Sequence, residues 1–147
     1  MCESEISAVF KELIDSNARL QIINKVLKSV ELSLNNIDIL TLDLDNIAPS
    51  LHYFYILQNS AIRSSVIRLC TMIEIISPES ITEKYNFDYL IASSICQKPP
   101  DPVPKSDEEK IAAFSYVSVL LKYRQELPTS ILRALVSLYN VPVVSWS

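Results

Sequence analysis

The chain has no glycine among its 147 residues. At the usual frequency of about 7%, roughly ten would be expected. Glycine supplies positive φ and lets the backbone come close to a ligand. Phosphate loops, dinucleotide fingerprints and the nucleophile elbow all depend on it, so none of them is present in standard form. Tight two-residue hairpins lose their favoured residues too. What such a chain builds most easily is a stack of helices joined at Pro, Asn and Ser.

Hydrophobic residues make up 49% and charged residues 20%, ordinary values for a folded domain. A length of 147 residues suits one domain with a real core, and we read 1–147 as a single helical domain. The net charge of -4 offers no basic surplus for a nucleic-acid partner. Cys2, Cys70 and Cys96 are odd in number and form no CxxC pair, which reads as reduced thiols in a cytoplasmic protein rather than a disulfide framework. The opening "MCESEISAVF" is acidic and polar, unlike a signal peptide. No apolar run approaches the roughly 20 residues of a membrane span.

Apolar residues recur at helical spacing along most of the chain. Ile6, Val9, Phe10 and Leu13 mark a helix over 4–14, and Leu20, Ile23, Leu27 and Val30 a second over 17–34. "NNIDILTLDLDNIAPS" carries no clear period and reads as extended loop or short helix. Pro49 then opens a helix through "SLHYFYILQN". Next, Ser60 is the expected N-cap of a longer helix. Its Ile62, Val66, Leu69, Ile73 and Ile76 fall within about 80° of one another. Ile67 and Ile75 lie on the far side, so this helix should touch neighbours on two faces. Ser77-Pro78-Glu79 ends it and starts a short helix. Leu90, Ile91 and Ile95 point inward from the segment that follows.

Residues 97–105, "QKPPDPVPK", form a proline-rich internal loop. Ser106 and Glu109 have the spacing of a capping box. The helix they start runs to about Arg124 and should bury Ala113, Phe114, Val117, Leu120 and Leu121. Pro128 restarts the chain, with Ile131, Leu135 and Leu138 as the last stripe. The two long helices sit about 50 residues apart, near the 40–47-residue period of armadillo and HEAT repeats. The expected fold is therefore all-α, a right-handed helical-repeat stack of about seven helices.

The stretches "AIRSSVIRLCTMI", "FDYLIASSICQ", "KIAAFSYVSVLLKY" and "LPTSILRALVSLYNVP" resemble the Rictor (pianissimo) family, a subunit of TOR complex 2. The resemblance runs from about Leu51 to Val141 and lies in the family's N-terminal armadillo-like region. Its most specific part is "DYLIAS", Asp88 to Ser93, behind the "IR…RL" helix. "ELIDSNARL", Glu12 to Leu20, is more weakly similar to an upstream family segment. The resemblance implies a non-catalytic scaffold that helps assemble the TOR kinase complex, with TOR complex subunits or further repeats as partners. It brings no catalytic residue and no cofactor. The alternative is a free-standing small helical protein, a regulator or host-targeting factor on a repeat-like fold.

The chemistry-bearing residues fit the non-catalytic reading. His52, beside Tyr53 and Tyr55, is the only histidine and has no ligand set at metal spacing. Asp43, Asp45 and Asn46 open like a calcium loop, but the glycine is missing and Phe54 stands where the closing Glu belongs. Arg63 and Arg68 should pair with acids on neighbouring helices, with Glu74, Glu83 and Asp88 as candidates. Pro99-x-x-Pro102 lacks a flanking arginine and reads as a spacer; Ser77-Pro78 is explained by a helix cap. At the C-terminal edge, "ILRALVSLYNVPVVSWS" places apolar residues on more than one side of its helix, with no charge after Arg133. Leu132, Val136, Val143 and Trp146 are the expected docking surface for the next repeat or a partner.

Overall fold

A computed structural model describes residues 3–33, 44–57, 59–76, 86–95, 106–124 and 126–139. These residues hold seven helices: α1 (Glu3–Asp15), α2 (Leu20–Ser33), α3 (Leu44–Tyr55), α4 (Ser60–Ile76), α5 (Phe87–Ile95), α6 (Asp107–Tyr123) and α7 (Thr129–Tyr139). Among the described residues there is no strand. The unclear stretch at 34–43, the short helix expected after Ser77 and the loop 97–105 lie outside the described residues.

With no glycine available, asparagine takes the left-handed positions. Asn17 has φ 52° and Asn86 φ 62°. Asn17 ends α1: its N–H reaches the Ile14 carbonyl at 3.2 Å, and the Ala18 N–H reaches that of Leu13 at 3.1 Å. These contacts satisfy carbonyls that a helix end leaves open, and asparagine is the side chain that tolerates this backbone best after glycine.

α4 is the centre of the structure and packs on α2, α3 and α6. Ile62 to Ile67 are all buried, as are Leu69, Cys70 and Ile73. The second apolar face is thus real at Ile67, while Ile75 remains 44% exposed. α1 packs on α3, α5 on α6, and α5 on α7. Phe10 meets Phe54 edge-on at 5.4 Å between ring centres, tying α1 to α3. One apolar core runs through all seven helices.

Side-chain pairs also give the directions of the helices. Ser60 and Ser106 join the first turns of α4 and α6, and Glu74 and Arg124 join their last. Asn24 meets Ser65, and Glu31 meets Arg68, so α2 runs the same way beside α4. His52 lies against Phe87, and Tyr55 donates to the Leu90 carbonyl, so α3 and α5 run in the same direction.

Four local expectations need correction. Pro49 lies inside α3, not at its start; it is exposed and within two turns of the N-terminus, where it forfeits one intrahelical bond at most. Leu20, the first residue of α2, is 42% exposed. Asn59, not Ser60, caps α4 by accepting from the Ile62 N–H at 3.0 Å. In α6 the buried stripe is Glu109, Ala112, Ala113, Tyr116, Val117 and Leu120, while Phe114 (41%) and Leu121 (64%) are exposed. The stripe is turned by roughly 70° from the expected one of Ala113, Phe114, Val117, Leu120 and Leu121. Ala112 and Ala113 face inward because their small side chains let neighbouring backbones approach.

Candidate functional site

Among the described residues the buried charged groups gather in two clusters, one at each end of the α4–α6 pair. At the N-terminal end, Glu109 is fully buried. Its Oε1 accepts from Arg63 Nε at 2.9 Å, Arg63 Nη2 at 2.7 Å and the Ser60 hydroxyl at 2.7 Å. Its Oε2 is buried with no hydrogen-bond partner. Ser106 caps α6 by accepting from the Glu109 N–H at 3.1 Å. The other half of the expected box is replaced. Ser60 Oγ, not the Glu109 carboxylate, accepts from the Ser106 N–H at 3.1 Å and lies 2.7 Å from Ser106 Oγ. A local capping motif has become a bridge between helices, which frees Glu109 to hold Arg63.

At the other end, Arg124 follows the last turn of α6, and its N–H closes that helix on the Leu120 carbonyl at 2.8 Å. Its guanidinium takes Glu74 of α4 at two points, 2.7 and 3.1 Å, and Asp88 of α5 at 3.1 Å. Tyr116 donates its hydroxyl to the other oxygen of Asp88. Only 4% of the Arg124 side chain and none of Glu74 is exposed. Burial works against the guanidinium charge, but the bonds to Glu74 and Asp88 outweigh it and hold Arg124 above its ordinary pKa. Cys70 lies nearby. Burial first, then the charges of Asp88 and Glu74, push its thiol pKa up, so the reactive thiolate is disfavoured.

Both expected arginines pair with acids, but not with the acids named from sequence. Arg63 takes Glu109. Arg68 takes Glu31 of α2 and Glu108 of α6, each at 3.0 Å. Glu74 and Asp88 belong to Arg124, and Glu83 lies outside the described residues. Arg124 and Glu109 are the residues that sequence reasoning missed. Glu109 looked complete as a cap, and Arg124 as a polar helix end. The available signal was Glu74, a lone acid within the apolar run "TMIEII".

His52 packs its ring on Phe87 at 4.4 Å, and burial lowers its pKa. Among the described residues no group of three or more His, Cys, Asp or Glu is placed to hold a metal ion. Asp43 lies outside the described residues, as do Pro99, Pro102 and Ser77-Pro78. No helix among them is long and apolar enough to cross a membrane. At the C-terminal edge, Leu132 is 46% and Val136 54% exposed on α7, one turn apart. Val143 and Trp146 lie outside the described residues. These arrangements match charges across helices and leave Leu132 and Val136 exposed on α7. Comparisons with protein-family models, with curated proteins and with solved structures find no match.

Proposed function

We propose that this chain is a non-catalytic interaction module, similar to part of the N-terminal armadillo-like region of Rictor, which works in the cytoplasm in the assembly and signalling of TOR complex 2. The observation that carries the reading is the side-by-side, same-direction run of α2, α4 and α6, with α3 and α5 likewise aligned. Alternation of this kind is how armadillo and HEAT repeats stack, each unit burying its face on the next. On this reading the units are α1–α2, α3–α4 and α5–α6, and α7 opens a fourth. The exposed Leu132 and Val136 are then the face intended for a further repeat or a TOR complex subunit. The buried ion pairs support the same role, since they join α4 to α6 and fix the rotation of both helices.

The test is recovery of the TOR kinase with the tagged chain from cells that contain the complex. The wild-type chain should recover the kinase, and the double variant Leu132→Lys, Val136→Lys should lose most of it while keeping its helical circular dichroism. Equal recovery by both proteins, or by neither, would sink the proposal.

A further inference from the structure

A groove of about 450 Å³ runs over α2, α4 and α6, with no residue of α7 in its lining. Its apolar part is Met72, Ile111 and Ala112. Ile111 is 66% exposed, a large aliphatic side chain beside an open hollow. Its polar part is an ion triad. Arg68 spends Nε on both oxygens of Glu31, at 3.0 and 3.2 Å, Nη1 on Glu108 at 3.0 Å, and Nη2 on Ser65 at 3.1 Å. Two carboxylates share one guanidinium, so the rim carries one negative charge in excess. Glu108 gives Arg68 a single oxygen, and its side chain is 56% exposed.

We infer that this groove docks a partner segment in which a bulky aliphatic or aromatic side chain lies one helical turn from a Lys or Arg. The apolar side chain covers Ile111 and Met72, and the cation meets Glu108. Charge complementarity selects the sign. An anionic group would meet two carboxylates and a guanidinium already engaged by them; a cation meets the excess charge. Desolvating Ile111 supplies most of the affinity, and the rim sets orientation. This surface does not depend on the TOR complex reading, because none of its residues belongs to the α7 edge.

The test is selection of short random peptides displayed on phage against the folded chain. Winning sequences should pair Leu, Ile, Met or Phe with Lys or Arg three or four positions away. Methionine-methyl NMR suits the next step, because Met72 is one of two methionines. A synthetic winner should shift the Met72 signal, assigned with Met72→Leu. Glu108→Gln should weaken binding about two- to fivefold, as for an exposed ion pair. Ile111→Ser should weaken it about tenfold, and Leu132→Lys should leave it unchanged. The inference fails if no peptide binds, if winners are acidic, if the Met72 methyl does not move, or if Glu108→Gln has no effect.

Discussion

Arg124 and Glu74 stand 50 residues apart in the chain and meet in a two-point contact, Nε to Oε1 at 2.7 Å and Nη2 to Oε2 at 3.1 Å. The contact joins the last turns of α4 and α6, and Asp88 brings in α5. Removing the cation leaves Glu74 buried without its guanidinium partner. Arg124→Met should cost about 3–5 kcal/mol in urea unfolding. Arg124→Lys should restore only part, since an ammonium has no planar fork. The double change Arg124→Met, Glu74→Leu should be milder than Arg124→Met alone. A cost below about 1 kcal/mol for Arg124→Met would place this pair with surface ion pairs.

Ser60 serves three groups at once: the Glu109 carboxylate, the Ser106 N–H and the Ser106 hydroxyl. Ser60→Ala should lower stability by about 1–3 kcal/mol, because the buried Glu109 loses a donor and the α6 start loses an acceptor. Asn59→Ala removes only the α4 cap and should cost about 1 kcal/mol. Chemical denaturation of the two variants side by side measures the difference. Equal small losses would show that the bridge contributes no more than an ordinary cap.

Cys70 is fully buried and its thiol pKa is raised. Alkylation by iodoacetamide near pH 8 should therefore modify Cys70 only through opening of the fold. Peptide mass mapping should find it protected in buffer and labelled rapidly in urea. Labelling at the rate of a free thiol in buffer would contradict its position in the core.

His52 predicts a pH effect of known sign. Burial lowers its folded-state pKa below the ordinary 6.5. The unfolded chain therefore takes up the proton first as pH falls. Stability drops from about pH 6.5 toward the folded pKa, then levels, with no contribution from this group well above 6.5. The difference between wild type and His52→Gln in unfolding free energy should change over that window and nowhere above it. A difference that is flat from pH 8 to 5 would refute the assignment.

Leu132 and Val136 form an exposed pair on α7. Leu132→Lys with Val136→Lys should raise the solubility of the isolated chain and weaken any self-association, read by sedimentation velocity. If the wild type stays monomeric at high concentration and Trp146 emits as a buried indole, the edge is already covered by the chain's own tail.

The sequence by itself determined most of the helices, though not the start of α3 at Leu44. Apolar residues at 3.6-residue spacing, the Ser106 cap and asparagine in place of glycine are all written within a few neighbouring positions. Local geometry decides them, because a helix face and a cap depend on residues three or four apart. The exposure of Leu132 and Val136 was legible for the same reason: too many apolar residues circle one short helix for a single neighbour to cover. The tertiary structure decided which residues meet. Arg63 chose Glu109 over Glu74, Arg124 took Glu74 and Asp88, and α6 turned Ala112 and Tyr116 inward in place of Phe114 and Leu121. Each ion-pair choice depends on how helices whose partner residues lie 36 to 50 positions apart are rotated and spaced. A rotation of roughly 70° exchanges one set of partners for another without altering the local pattern of either helix.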